Sequence, residues 1–551
     1  MKAAELFVKC LENEGVKYIF GVPGEENAEV MIALEDSPIR FILCRHEQGA
    51  AFMADVYGRL TGEPGVCLGT LGPGATNLVT GVADANMDRA PLVVITGQAE
   101  SIRQHKESHQ NMDVVAMFRP LTKWAQPILH SDNIPEVVRK SFKLAKLEKP
   151  GACHIELAND IAEFDAIGQP LRITTPRRPV PADAVVDEAM AMLRQAKRPI
   201  ILAGNGALRK GASKQLEILA RKSGIGVVST FMGKGAVPRS DPSCLFTIGL
   251  QSKDFTWDAV NESDLVIALG YDLVEYPPSI WNRCICNNTK IIHIDFLPAE
   301  LDSHYPVDVE IVGDLSHTLW MINERLEKDG VPDFDLGYQT EIRQKLLADF
   351  AEYKDDDTQG VIKPQKAIWD VREVLGPDDI LLSDVGAHKM WIARYYHSDR
   401  PNTCLISNGF CSMGFALPGA IGAKIVHPDK RVLAICGDGG FLMNVQELET
   451  ARRIGANIVV LIWEDMEYGL IKWKQQNQFG RHTDLEFNNP DFIKLAEAFD
   501  CVGIRVQNSK DLKPALEQAF QEDRPVLIAM PVDYRENFKL TKRLGKIECT
   551  L

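Results

Sequence analysis

Three α/β domains, each a doubly wound parallel sheet, are predicted from three observations. Apolar runs of strand length alternate with helical patterns along the chain, as strand-helix-strand units and parallel sheets require. At 551 residues the chain exceeds what one hydrophobic core serves, and its length suggests about three or four domains. Several apolar runs also end in glycine-rich turns of the kind that hand a strand over to a helix: Gly21-Val22-Pro23-Gly24, Gly72-Pro73-Gly74-Ala75-Thr76-Asn77 and Cys436-Gly437-Asp438-Gly439-Gly440.

The first block, residues 1–168, opens with a helix over 2–14 closed by Gly15. Strands are expected at Tyr18–Gly21, Phe41–Cys44, Val66–Thr70 and Leu92–Thr96. Four prolines and three arginines between Gln169 and Ala182 read as an extended linker. The second block, 183–325, begins with a helix at Asp187–Gln195. Strands follow at Pro199–Ala203, Gly226–Ser229, Leu265–Leu269 and Ile291–Ile294. The acidic stretch Glu324–Thr358 reads as a partly helical connection. The third block, 360–535, has strands at Ile380–Ser383, Cys404–Ser407 and Val526–Met530, beside the two runs ending near Asp438 and Asp465; residues 536–551 read as a short basic tail. No tandem repeat or low-complexity tract interrupts this order.

Composition narrows the function. Apolar residues make up 45%, charged 25% and aromatic 7%, as in a globular protein, and no run of ~18 apolar residues suggests a membrane span. The net charge of −15 argues against nucleic acid or an anionic membrane as partner. Anionic ligands must then be held by local amides, helix ends and a metal. The N-terminus shows no export signal. Twelve cysteines, single except for the near neighbours Cys284 and Cys286 and without a Cys-x-x-Cys pair, indicate reduced thiols in a cytoplasmic protein.

The sharpest chemical signal is the pair Asp438 and Asp465. One apolar run delivers Asp438 into Gly437-Asp438-Gly439-Gly440; a second, Ile-Val-Val-Leu461-Ile462-Trp463-Glu464, ends on Asp465. Adjacent strands would bring both carboxylates to one sheet edge, beside amides and a helix N-terminus that suit a phosphate. Two hard oxygen ligands beside a phosphate suit Mg²⁺. The same residues alone also fit an ordinary strand-turn-helix with acidic loop ends. Glu47, in Arg45-His46-Glu47-Gln48-Gly49-Ala50-Ala51-Phe52-Met53-Ala54, stands where an apolar strand meets an apolar helix. Partial desolvation there would raise its pKa and let it share a proton with a ring nitrogen; a helix-start Glu favoured by the dipole is the plainer alternative. Gly204-Asn205-Gly206 fits either a phosphate cradle or a plain turn.

Taken in order, Arg-His-Glu47-x-x-Ala-x-x-Met-Ala, Gly72-Pro73-Gly74-x-x-Asn77 and the Gly437-Asp438-Gly439 fingerprint resemble the acetolactate synthase branch of enzymes that depend on thiamine diphosphate (ThDP). The resemblance covers essentially the whole chain and implies pyrimidine-binding, central and diphosphate-binding domains. It also implies a homo-oligomer, homodimer or homotetramer, with sites between one subunit's first domain and its partner's third. It makes Glu47 the activating carboxylate and Gln110, in Ser108-His109-Gln110-Asn111, the amide that approaches a bound ketoacid. Asp438 and Asp465 become side-chain ligands of Mg²⁺, and Glu467 a backbone-carbonyl ligand. Cofactor contacts are implied for Glu47, Pro23, Gly24, Gly386, Ala387, His388, Met413, Gly437, Gly439, Gly440, Tyr468 and Gly469. Met413 is similar to the residue that wedges ThDP into its bent shape, and otherwise reads as a gap-filling core methionine. His388 either donates to phosphate or caps its turn. Lys123-Trp124 reads as structural. Asp465 stands where the family more often has Asn, and Ala387 where many biosynthetic members have Gln.

The implied reaction is decarboxylation of pyruvate, with other 2-ketoacids as further substrates, and condensation with a second pyruvate to give 2-acetolactate and CO2. Flavin-binding biosynthetic acetohydroxyacid synthases carry a Phe-Asp-Asp-Arg-like signature where this chain has Tyr271-Asp272-Leu273-Val274-Glu275-Tyr276-Pro277-Pro278. The local pattern resembles the flavin-free catabolic enzymes, so FAD is expected to be absent. The alternatives are another ThDP-dependent 2-ketoacid decarboxylase or carboligase, a FAD-binding biosynthetic catalytic subunit, and a non-catalytic nucleotide-binding protein on the same scaffold.

Overall fold

Runs such as Leu92-Val-Val-Ile-Thr-Gly-Gln98 are buried at every position, as strands of a parallel sheet covered on both faces must be. The computed structural model describes residues 1–209, 211–249, 255–282 and 289–538. Among these, eighteen strands form three six-stranded sheets, all laddered in parallel. The first contains β1 (Tyr18–Gly21), β2 (Arg40–Leu43), β3 (Gly65–Gly69), β4 (Leu92–Gln98), β5 (Trp124–Ile128) and β6 (Ala152–Ala158), ordered β2-β1-β3-β4-β6-β5. The second contains β7 (Pro199–Ala203), β8 (Val227–Ser229), β9 (Cys244–Thr247), β10 (Leu265–Leu269), β11 (Lys290–Asp295) and β12 (Val309–Val312), ordered β12-β11-β10-β7-β8-β9. The third contains β13 (Ile380–Ser383), β14 (Cys404–Ile406), β15 (Val432–Gly437), β16 (Val459–Glu464), β17 (Val502–Arg505) and β18 (Val526–Pro531). Its order, β14-β13-β15-β16-β18-β17, repeats that of the first sheet.

The first and third domains share a core. The helix Glu47–Thr61, ended by Gly62 in the left-handed region (φ +72°), buries Ala50, Phe52, Met53 and Val56 among Phe415, Leu417, Ala420 and Ile421 of the helix region 415–426. Gly422 permits the crossing: a Cβ there would lie 2.6 Å from the Met53 carbonyl oxygen. Arg59 ties the same two domains by charge. Its guanidinium donates to Asp55 at 2.6 and 2.9 Å, to Asp84 at 3.3 Å, to Asp88 at 2.9 Å and to the Ile406 carbonyl at 2.9 Å. Asp88 also accepts the Asn408 amide at 2.9 Å. One buried cation thus serves three buried carboxylates, and burial pushes Asp55 and Asp84 upward in pKa. Lysine keeps the charge but loses the planar fork. Arg59→Lys is expected to lower stability by about 2 kcal/mol, the worth of a hydrogen bond to a charged group. Thermal unfolding of the full chain measures it, and an unchanged Tm would mean the fork contributes nothing.

The structure departs from several sequence expectations. β5, β6, β9, β12 and β17 stand where none was expected, and the helix expected from Asp187 begins at Asp183. Glu536 and Asn537, assigned to the tail, are buried instead: Gln365 donates to Glu536 at 3.0 Å and the Trp391 indole to Asn537 at 2.7 Å. The rest of the tail, 539–551, lies outside the described residues, as do Cys284 and Cys286. Nine described cysteines are free thiols. No helix among the described residues is long and apolar enough to cross a membrane.

Candidate active site

In an open parallel sheet, ligands collect beyond the carboxyl ends of strands where the strand order reverses. In the third sheet that place lies between β13 and β15. A cavity of about 100 Å³ opens there, lined by the segments that follow β13 (Gly386, Ala387, His388), β15 (Gly437, Asp438, Gly439, Gly440) and β16 (Asp465, Glu467, Tyr468, Gly469), with Met413 and Tyr534. Two larger cavities of about 320 and 330 Å³ lie between domains and carry neither the glycine turn nor the acidic pair.

Each carboxylate here has a different task. Asp384, fully buried at the end of β13, accepts the amides of Val385 at 2.9 Å, Gly414 at 2.9 Å and Phe415 at 3.2 Å. It thereby holds the loop that presents Met413, and burial raises it to about 7. Gly440 passes so close that a Cβ would lie 2.5 Å from Asp384 Oδ2. Asp438 Oδ2 accepts Asp465 N at 3.1 Å, Met466 N at 2.8 Å and Asn489 Nδ2 at 2.7 Å, and Oδ1 accepts Gly439 N at 2.8 Å. Asp438 therefore positions Asp465. Asp465 Oδ2, by contrast, is buried with no partner, and so is Asn489 Oδ1. Burial, then the charges of Asp438 and Glu467, push Asp465 up to about 8. The Glu467 side chain pairs with Lys472 while its carbonyl accepts Gly469 N at 2.9 Å. His388 is held neutral, lowered to about 3 by burial. Its ring hydrogen-bonds back to the Asp384 backbone at the start of the turn, while its Nε2 is unpartnered.

These residues fit a divalent cation and a diphosphate. An uncommitted buried carboxylate oxygen beside a second carboxylate lacks positive charge, and hard oxygens of this kind suit Mg²⁺. The helix Gly469–Phe479 starts at the cavity, and its positive dipole end suits a phosphate. Among the described residues no group of three or more acidic, His or Cys side chains forms a metal cage, as expected when a ligand supplies part of the shell.

The remaining expected residues cluster at the corresponding edge of the first sheet. Glu47, 8% exposed, starts its helix, with His46 Nδ1 accepting Gln48 N at 3.1 Å. Its Oε2 accepts Asn77 Nδ2 at 3.0 Å, and a Cβ on Gly74 would lie 3.3 Å from Oε1. The turn before it is fixed by Glu447 of the third domain, which accepts Arg45 N at 3.1 Å and His46 N at 3.0 Å; burial raises Glu447 to about 7. Pro23 and Gly24 follow β1, where a Cβ on Gly24 would meet Thr70 at 2.5 Å. Gln110 is exposed, with its carbonyl 2.9 Å from where a Cβ on Gly72 would stand. Gln110, Cys411 and Met466 are non-glycine residues at φ +56°, +57° and +55°, strained conformations of the sort that gather at ligand-handling loops. Lys123 donates to the carbonyls of Leu144, Leu147 and Lys149 at 2.6, 2.7 and 2.7 Å, an anchoring role.

None of the first-domain residues lines the third-domain cavity within this chain. Asp384, Glu447, Asn489 and Tyr534 received no role from the sequence. Asn489, in Asn488-Asn489-Pro490, offers a polar loop signal; Glu447, at the start of the amphipathic helix Glu447–Ile454, has no sequence feature that separates it from a surface charge.

Comparison with known proteins agrees with this architecture. Residues 1–117, 186–322 and 384–530 match, respectively, the N-terminal TPP binding domain, the central domain and the C-terminal TPP binding domain of thiamine pyrophosphate enzymes. The chain is 38% identical to a catabolic acetolactate synthase of Raoultella terrigena, over 97% of this chain and 95% of that protein. It is 35% identical to an acetolactate synthase of Bacillus subtilis (strain 168), over 99% and 96%. A probable acetolactate synthase large subunit of Methanocaldococcus jannaschii is also 35% identical, over 99% and 94%. With similarity running through all three domains and the cavity placed at the switch point of the TPP-binding third, the chain belongs to the thiamine diphosphate-dependent acetolactate synthase family.

Proposed function

We propose that this protein is a homo-oligomeric acetolactate synthase that converts two pyruvates to 2-acetolactate and CO2 with ThDP and Mg²⁺ and without flavin. The observation that carries the reading is the buried, uncommitted oxygen of Asp465 beside Asp438, at the switch point of the domain that matches the C-terminal TPP binding domain. Bound ThDP supplies the electron sink for decarboxylation. The side chains of Asp438 and Asp465 and the carbonyl of Glu467 would hold Mg²⁺. The glycine turn at Gly439 and Gly440 and the helix start at Gly469 would hold the diphosphate, with Gly386, Ala387 and His388 on the opposite wall. Met413, half-exposed at the cavity, would support the cofactor's bend.

Glu47 holds a proton at the pyrimidine nitrogen. Asn77 commits one carboxylate oxygen and leaves the other for that exchange. Gln110 would orient a ketoacid through its amide. That the cavity draws its lining from residues 385–534 alone supports a site completed by Glu47 from the first domain of a partner subunit. Free thiols among the described cysteines accord with a cytoplasmic setting.

The test is product analysis. Purified protein with pyruvate, ThDP and Mg²⁺ should release one CO2 per acetolactate at the same rate with and without FAD. Acetaldehyde as the main product would make it a simple decarboxylase, and dependence on FAD would make it a biosynthetic-type subunit.

A further inference from the structure

The central sheet, read along its strands, is β9-β8-β7-β10-β11-β12, so chain order runs outward from β7 on one side and from β10 on the other. That is the dinucleotide-binding order, and its ligand crevice lies between the ends of β7 and β10. The turns at that place are Gly204-Asn205-Gly206 and Gly270-Tyr271-Asp272. They are pressed together: Gly206 N donates to the Gly270 carbonyl at 2.8 Å, and a Cβ on Gly204 would lie 2.5 Å from the Gly270 oxygen. Nevertheless a carboxyl group is seated between them. The Glu275 carboxylate accepts Asn205 N at 3.0 and 3.1 Å, Asp272 N at 3.1 Å and the Thr230 hydroxyl at 2.5 Å.

We propose that this crevice is a phosphate-type anion site which the chain fills from within, the Glu275 carboxylate standing where a nucleotide's phosphate would bind. Two backbone amides and a hydroxyl converging on one carboxyl group are what a phosphate cradle provides. The plug is held from both neighbouring domains. Arg89 of the first domain donates to Asp272 at 2.7 Å, with Lys149 3.4 Å from the same carboxylate, and Asn408 of the third domain donates to the Glu275 carbonyl at 3.0 Å. Asn205, next to the cradle, donates to the Asp88 carbonyl at 3.0 Å. The crevice has thus become the joint where three domains meet, and FAD or ADP would have to displace a carboxylate that accepts from three donors.

The inference extends the flavin-free reading, and its test reads ligand binding, so it can fail while acetolactate formation without flavin stands. Inorganic phosphate, ADP and FAD are titrated calorimetrically into the full-length wild type, Glu275→Ala and Glu275→Asp. The aspartate is one methylene too short to reach Asn205 N and Thr230 Oγ1 together, and serves if the alanine variant does not fold. Wild type is expected to bind none of the three at millimolar concentration. The variants should gain affinity for phosphate or ADP by at least roughly tenfold, about one recovered hydrogen bond to a charged group. Micromolar binding of ADP or FAD by wild type, or a folded variant with no gain for phosphate or ADP, would overturn the proposal.

Discussion

Glu47→Gln is expected to slow acetolactate formation by roughly 10²–10⁴-fold, the usual contribution of a positioned proton-transfer group, with little change in stability. The amide has the size of the carboxylic acid and can still accept the Asn77 side chain through its oxygen, a contact now made at 3.0 Å. It cannot take up and return a proton at the pyrimidine nitrogen. Deuterium exchange at C2 of bound ThDP isolates that step from substrate binding. Exchange should fall in parallel with turnover while ThDP affinity stays within a few-fold. A variant that exchanges at the wild-type rate would remove Glu47 from the role and leave its burial as packing beside Gly74.

The same residue shows what could be read from sequence and what could not. Strands at the centres of the sheets were legible because both faces are buried and the chain there is continuously apolar: β7, β10 and β13 begin and end where expected. Four of the missed strands, β5, β9, β12 and β17, are sheet edges. Edges are short and mixed, as in Trp124-Ala-Gln-Pro-Ile128 and Val502-Gly-Ile-Arg505, because one side lacks a partner and tolerates proline and charge. β6 is not an edge, yet it carries His154 and Glu156, which disguise it. In the fold both are buried and paired, His154 with Thr96 at 2.8 Å and Glu156 with Gln98 at 3.0 Å. At the site, the turn 437–440 was legible since its parts are adjacent in sequence. Asp384, Asn489 and Glu447 were not, because their partners Gly414, Asp438 and Arg45 are 30, 51 and 402 residues away and only sheet topology joins them.

That distinction between a committed and an uncommitted carboxylate sets the second large effect. Asp465→Ala is expected to weaken Mg²⁺ and ThDP together by more than ~100-fold, beyond the 10–100-fold typical of groups that merely orient a metal ligand. Since Asp465 Oδ2 has no partner in the protein and the carboxyl group has a backbone hydrogen bond only with Glu467, removing it should change the Tm of the cofactor-free protein little. Losing a buried carboxyl oxygen that no group in the protein satisfies does not harm the fold. Asp438→Ala should cost the same affinity and also stability, because Asp465 N, Met466 N and Asn489 Nδ2 would lose their shared acceptor. Asp465→Asn keeps a hard oxygen and should retain Mg²⁺ binding within about tenfold. Titrating each of Mg²⁺ and ThDP at saturating amounts of the other, alongside melting of the cofactor-free variants, separates the roles. Affinities left at wild type in both alanine variants would mean that these two aspartates hold the loops at the ends of β15 and β16 together and bind no metal.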